Sequence, residues 1–214
     1  MRSSAPIPGN PWPHDMTITV DDQPNMLLEL LWIREAHQLQ PRGEDLPPLL
    51  SDSPPVERDR VVNAEERAHW EDAWPRMWDA AVAHAGTEND PRLFEEIQRT
   101  ANGSAERADL LRRIVGPDWR DEFGGGALDT DSYGRWQQQA HDHLREKIPT
   151  SLEASPERRD LESLILAWRA GLTKVVTIPC AGDFTRKIGP HGLLTTQATR
   201  DTSAKYRQAL SSFI

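Results

Sequence analysis

The residues whose types and spacing best suit chemistry lie together in Cys180-Ala181-Gly182-Asp183-Phe184-Thr185-Arg186, with Lys187 and His191 close behind. The run Val175-Val176-Thr177-Ile178-Pro179 before them reads as a strand, so a thiol arrives at a strand end and enters a glycine-containing loop. Asp183 is placed to cap one helical turn that ends before Gly189 and Pro190. Loops after the carboxyl ends of strands are where open α/β layers bind ligands. Asp183, Arg186, Lys187 and His191 are therefore candidate ligand contacts.

Cys180, five residues and then Arg186 resemble the phosphate-binding loop of cysteine phosphatases and rhodanese-like proteins. The resemblance covers residues 175–186 of a 214-residue chain. It implies that backbone amides and a helix dipole hold an oxyanion, that Arg186 grips it bidentately, and that the same field lowers the thiol pKa so that a thiolate attacks. Asp183 or His191 would then transfer protons. The chain departs from the pattern in three ways. Pro179 stands where classical members carry histidine, Lys187 where Ser or Thr is expected, and no parallel sheet of four or five strands is visible. These departures favour a buried structural cysteine, slow to alkylate and indifferent to phosphate.

Other candidates fail on geometry. Glu66 and His69 form a Glu-x-x-His pair as in di-iron bundles, but the second pair that such a site needs is absent. His141 and His143 are two apart, which on a helix turns them away from each other. Asp129-Thr130-Asp131-Ser132-Tyr133-Gly134 begins like a calcium loop, yet Ala140 stands at the position that must supply a bidentate glutamate. Asn102-Gly103-Ser104 is formally a glycosylation sequon and reads as a turn between helices. Trp70, Trp74 and Trp78 recur every four residues; exposed, they would be a docking surface, but a chain poor in Leu and Val needs them inside. Pro75 should kink that helix or make it restart.

Stepping from these residues to the elements that hold them, 10 of 17 prolines fall within the first 55 residues, which are therefore mostly extended or irregular. Residues 1–24 read as a proline-rich extension with little to bury before Met16, the expected natural start; Thr17–Val20 carries alternating β-branched residues. Asn25 follows Pro24 as the cap of a helix that is apolar nearly all round and ends near Leu39. Caps at Asn63, Asp90 and Ser104, with stops at Gly86, Gly103 and Gly116, predict three consecutive helices. Gly124–Gly126 permits a hinge, and a further helix spans about 131–147 with Tyr133, Trp136, Ala140 and Leu144 on one side. Ser155 and Pro156 open a helix whose Leu161, Leu164, Ile165, Trp168 and Leu172 form an amphipathic stripe. Strands at 174–178 and 193–196 and a terminal helix from Thr202 or Ser203 complete the chain.

The fold class expected is mainly α: a helical bundle over residues 25–150 with a small α/β layer of two or three short strands, residues 151–214, packed on it. Leu, Ile, Val and Phe make up 43 of 214 residues, at the border where chains fail to bury a core, and eight Trp restore the balance. The single cysteine excludes a disulfide framework and multi-cysteine metal sites. The net charge of −9 and the lack of any basic block count against nucleic acid. No apolar run is long enough for a membrane span, and no secretory signal is evident. No cofactor is implied. The absence of a complete catalytic constellation favours a non-enzymatic, cytoplasmic protein that binds another macromolecule, as an acidic adaptor or antagonist of a basic protein partner. The alternative from another class is a small-molecule or phosphoester enzyme built on the Cys180–His191 loop.

Overall fold

The computed structural model describes residues 9–58, 60–88, 90–146, 151 and 154–214. Helix α1 (Asn25–Ala36) buries Leu27, Leu30, Leu31, Trp32 and Ile33, as befits an element apolar nearly all round. Asn25 is its first helical residue rather than its cap, and no side chain caps it. The helix stops short of Leu39 because Gln38 adopts a positive φ of 53°, which lets the Leu39 amide reach back to the Arg34 carbonyl at 2.7 Å. Helix α2 (Ala64–Ala85) begins where Asn63 Oδ1 accepts from the Glu66 amide at 2.9 Å. It does not restart at Pro75: burial of Trp70, Trp74 and Trp78 against the core offsets the missing backbone hydrogen bond.

Helices α3 (Pro91–Arg99) and α4 (Ala105–Val115) follow with side-chain caps from Asp90 and Ser104, as expected. A short α5 (Trp119–Phe123), capped by Asp118, comes before the glycine run, which was read as a hinge or tight loop and forms a single 3-10 turn at Gly125–Ala127. Helix α6 (Asp131–Glu146) closes the described part of the bundle; the expected bundle end at 147–150 lies outside the described residues.

The striped helix is in fact two, α7 (Pro156–Arg159) and α8 (Leu161–Arg169), broken at Asp160 with φ −108° and ψ 30°. Asp160 is buried there and accepts from the Ser203 hydroxyl and from Arg159, a bonding position that a continuous helix would not provide. The remaining elements are β1 (Thr19–Asp21), β2 (Lys174–Ile178), β3 (Thr185–Ile188), β4 (Gly192–Thr196), α9 (Gln197–Asp201) and α10 (Ser203–Ser211). The layer thus has four strands, in the order β1-β2-β4-β3.

Two of those strands were not anticipated as such. The helical turn expected after Asp183 is the extended β3, antiparallel to β4 with Thr185 opposite Thr195 and Ile188 opposite Gly192. Its β-branched ends pair across the hairpin, and a bonding partner was already in place. In the N-terminal region, Thr19–Asp21 lies parallel to Lys174–Val176 at the sheet edge. Before it, Met16 is buried, and of the residues expected to bury little Trp12 is half-buried, with the Arg158 guanidinium over its ring at 5.0 Å.

Strand alternation divides the sheet between two cores. Val176, Ile178, Ile188 and Leu194 face α1, α2 and α6, whereas Val175 and Leu193 face α8 and α10. The end of α2 approaches β3 so closely that a Cβ on Gly86 would sit 2.9 Å from the Ile188 carbonyl, which requires glycine there. Among the described residues no helix is long and apolar enough to cross a membrane.

Candidate functional site

The residues of the cysteine loop are dispersed by the hairpin. Cys180 is fully buried, and burial pushes its thiol up to about 12, with Arg34 only partly opposing the shift. Such a thiol stays protonated near neutrality. Arg186 bonds Asp79 of α2 at 2.9 Å, Asp183 accepts from Lys205 at 2.8 Å, and Lys187 donates to the Phe213 carbonyl at 3.2 Å. His191 lies at the other end of β4, with Nδ1 2.8 Å from the Gly171 carbonyl oxygen. Among the described residues β3, not a helix N-terminus, follows the cysteine, so the helix dipole of an oxyanion cradle is missing there. What Cys180 does is structural: it forms an isolated antiparallel bridge with Leu50, flanked by Ser51 N to Pro179 O and Ala181 N to Leu49 O.

That bridge leads to a different place. A cavity of about 330 Å³ opens where three parallel strands end: Asp22 follows β1, Thr177, Ile178 and Pro179 finish β2, and Gln197, Ala198 and Asp201 follow β4. Segment 50–55 forms one wall, and Leu28 of α1 with Trp136, Gln139, Ala140 and His143 of α6 form another. The wall is held by buried ionic groups. Arg34 donates to the carbonyls of Pro47 at 2.8 Å and Pro48 at 2.6 Å, while Glu35 accepts from the Leu50 amide at 2.6 Å. A chain segment rich in proline has few amides to donate, so the helix side chains supplement the Ser51 bond to the strand end.

The cavity lining also carries charged side chains. Asp22, Asp52 and Asp201 lie on its lining, and no lysine or arginine does among the described residues. Thr177 is 1% exposed and its hydroxyl has no hydrogen-bond partner. Of the eight buried side-chain polar atoms in that condition among the described residues, it alone belongs to a residue lining this cavity. An unpaired buried hydroxyl costs about 1–3 kcal/mol.

A second polar cluster lies inside the bundle. Glu29 accepts from Arg120 at 2.9 Å and from the Tyr133 hydroxyl at 3.3 Å, and burial raises both its pKa and that of Tyr133. His37 stacks edge-on between Trp32 and Trp70, and burial lowers its pKa. The Ser132 hydroxyl donates to Glu57, giving that serine no basic partner. The remaining sequence candidates are structural in their contacts. Glu66 pairs with Arg60, His69 packs on Phe123 with ring centroids 5.3 Å apart, and His141 meets Gln23 at 3.1 Å. Trp70, Trp74 and Trp78 are 1%, 0% and 0% exposed, so the ladder is core. Among the described residues no group of three or more His, Cys, Asp or Glu is arranged to hold a metal.

The sequence pointed to the loop after β2, whose charged residues the hairpin disperses, and did not single out Asp22, Asp52, Thr177, Gln197 or Asp201, which line the cavity. Asp22, Pro179 and Gln197 directly follow strands or their continuations, which was the available signal; Asp52 carried none, because only the Leu50–Cys180 bridge brings its segment to the sheet. Comparison of the chain with protein-family models, curated proteins and solved structures found no match in any of the three.

Proposed function

We propose that the protein binds a small ligand in the cavity at the carboxyl ends of β1, β2 and β4. The observation that carries this reading is about 330 Å³ of space at the ends of three parallel strands, walled by segment 50–55, α1 and α6. Strand ends of parallel sheets present loops and side chains without covering backbone, which makes them the usual ligand crevice of α/β layers. The walls suit that use: Leu28, Leu50, Trp136 and Ile178 supply apolar surface, and the Arg34 and Glu35 clamp keeps segment 50–55 in place without a ligand. Of the two readings drawn from the sequence, the small-molecule one is the better supported, although away from the Cys180–His191 loop. The macromolecule-binding reading keeps its grounds in the acidic balance and the incomplete catalytic constellation but loses the tryptophan ladder as a docking surface, since the ladder is core.

The test is a library screen by thermal shift, run on the protein and on Ala140→Trp, which fills the cavity from α6. Compounds that raise the Tm of the first and not of the second, and that shift the Thr177 amide in a heteronuclear spectrum, support the reading. Hits unaffected by Ala140→Trp would remove it.

A further inference from the structure

We infer that His37 is the pin of an acid-opened latch, which near neutral pH holds the Glu57 end of the cavity wall against α1 and lets it swing away when the imidazole takes a second proton. The latch stands by itself; only its use as a gate to the cavity rests on the ligand-site reading. His37 caps the end of α1 and is 4% exposed, its ring set edge-on to Trp32 at 5.7 Å and to Trp70 at 5.2 Å. The ring bonds the Ala127 backbone, while its Nε2 is enclosed without a hydrogen-bond partner. A neutral imidazole can leave that lone pair bare. An imidazolium puts an N–H and a charge in its place, among indoles and with no acceptor in bonding position.

The charges facing the ring do little to compensate. The chain after the cavity wall brings Glu57 and Arg60, and α2 brings Arg67, with its Glu66 engaged by Arg60. Two guanidiniums thus oppose the Glu57 carboxylate, which also accepts from Ser132 of α6. Burial acts in the same direction and is the largest cause, so the closed form keeps the imidazole neutral below its ordinary range. An opened, wetted ring titrates near its ordinary value of about 6.5, so opening takes up a proton and acid favours the open form. The part that moves is the chain around Glu57, whose amide donates to the Ala36 carbonyl at 2.8 Å, next to His37. From Ser51 to Val62 no described residue lies in a helix or strand, and Val56 and Val61 are exposed, so a local opening breaks few contacts. The Leu50 bridge and the Arg34 and Glu35 bonds hold the other end of the wall as a pivot.

The experiment follows amide hydrogen exchange residue by residue in the full chain at about pH 7.5 and about pH 5, corrected for intrinsic rates, together with the titration of the His37 ring in carbon–proton spectra. The Glu57 amide should lose about tenfold in protection at the lower pH while the amides of β4 keep theirs. In His37→Phe, which fills the same space and cannot titrate, Glu57 should be equally protected at both. Equal losses at Glu57 and in β4 would mean unfolding of the whole molecule and overturn the latch, as would a loss that persists in His37→Phe. Should that variant not fold, the ring decides. A ring that stays neutral until Glu57 protection falls supports the latch, and one that titrates at its ordinary value with Glu57 protection unchanged overturns it. A latch seen in a protein whose cavity takes no compound would stand, without the role of a gate.

Discussion

On one face of the sheet Val176, Ile178 and Leu194 meet a core built from tryptophans; on the other Val175 and Leu193 meet Leu161, Leu164, Leu172, Tyr206, Leu210 and Phe213. The two cores treat buried polar groups differently. On the C-terminal side Glu157 accepts from Arg200 through two bonds of 2.8 Å and from the Tyr206 hydroxyl at 3.1 Å, and Asp160 is bonded by Ser203 and Arg159. On the bundle side Glu29, Trp32, Arg34, His37, Arg60, Trp78 and Trp119 each keep one buried polar atom without a partner. A chain short of aliphatic residues fills volume with indoles, and each indole brings an N–H that rigid ring packing does not always satisfy. Among the described residues most of the unpaired buried polar atoms therefore lie in the large core.

The largest effects should follow volume. Trp74→Ala removes a fully buried ring and its hydrogen bond to the Leu30 carbonyl and should cost about 3–5 kcal/mol, against about 2–5 kcal/mol for Leu164→Ala across the sheet. Denaturant unfolding of both variants checks this. Either cost below about 0.5 kcal/mol would place that residue outside the core.

A smaller effect sharpens the contrast in polar pairing. Tyr206→Phe deletes a paired hydroxyl and leaves Glu157 short of a donor, so it should lose about 1–2 kcal/mol of stability. The acid limb of the stability curve reports on the other side. Burial holds His37 below its ordinary value, so as pH falls the unfolded chain takes up the proton first and stability is lost below about pH 6.5, by at most ~1.4 kcal/mol per pH unit. Glu29 works in the opposite sense, since burial raises it and its charging penalty is relieved on acidification. His37→Phe should therefore flatten the fall between about pH 6.5 and 5.5 seen in denaturation at each pH. An unchanged slope would assign the loss to other groups.

The smallest expected change is also the most discriminating. Thr177→Val keeps the side-chain shape and removes a hydroxyl that bonds nothing, so stability should stay within about 0.5 kcal/mol or rise. A stability loss like that of Tyr206→Phe would mean that the hydroxyl is paired within the fold.

Local chemistry written in the chain was enough to place the caps at Asn63, Asp90 and Ser104, the strand at 174–178 and the bundle-plus-layer class. Capping and periodicity act over three or four residues, so a sequence displays them directly. Tertiary contacts decided what those ranges cannot reach. Residues 185–188 became a strand rather than a turn because β4 offered them a partner, and the striped helix broke at Asp160 because Ser203 and Arg159 bond its buried carboxylate. The site belongs to the second kind. Asp22, Asp52 and Asp201 are distant in the chain and share an opening only through parallel pairing of β1, β2 and β4 and the bridge between Leu50 and Cys180, long-range hydrogen bonds that no local pattern encodes.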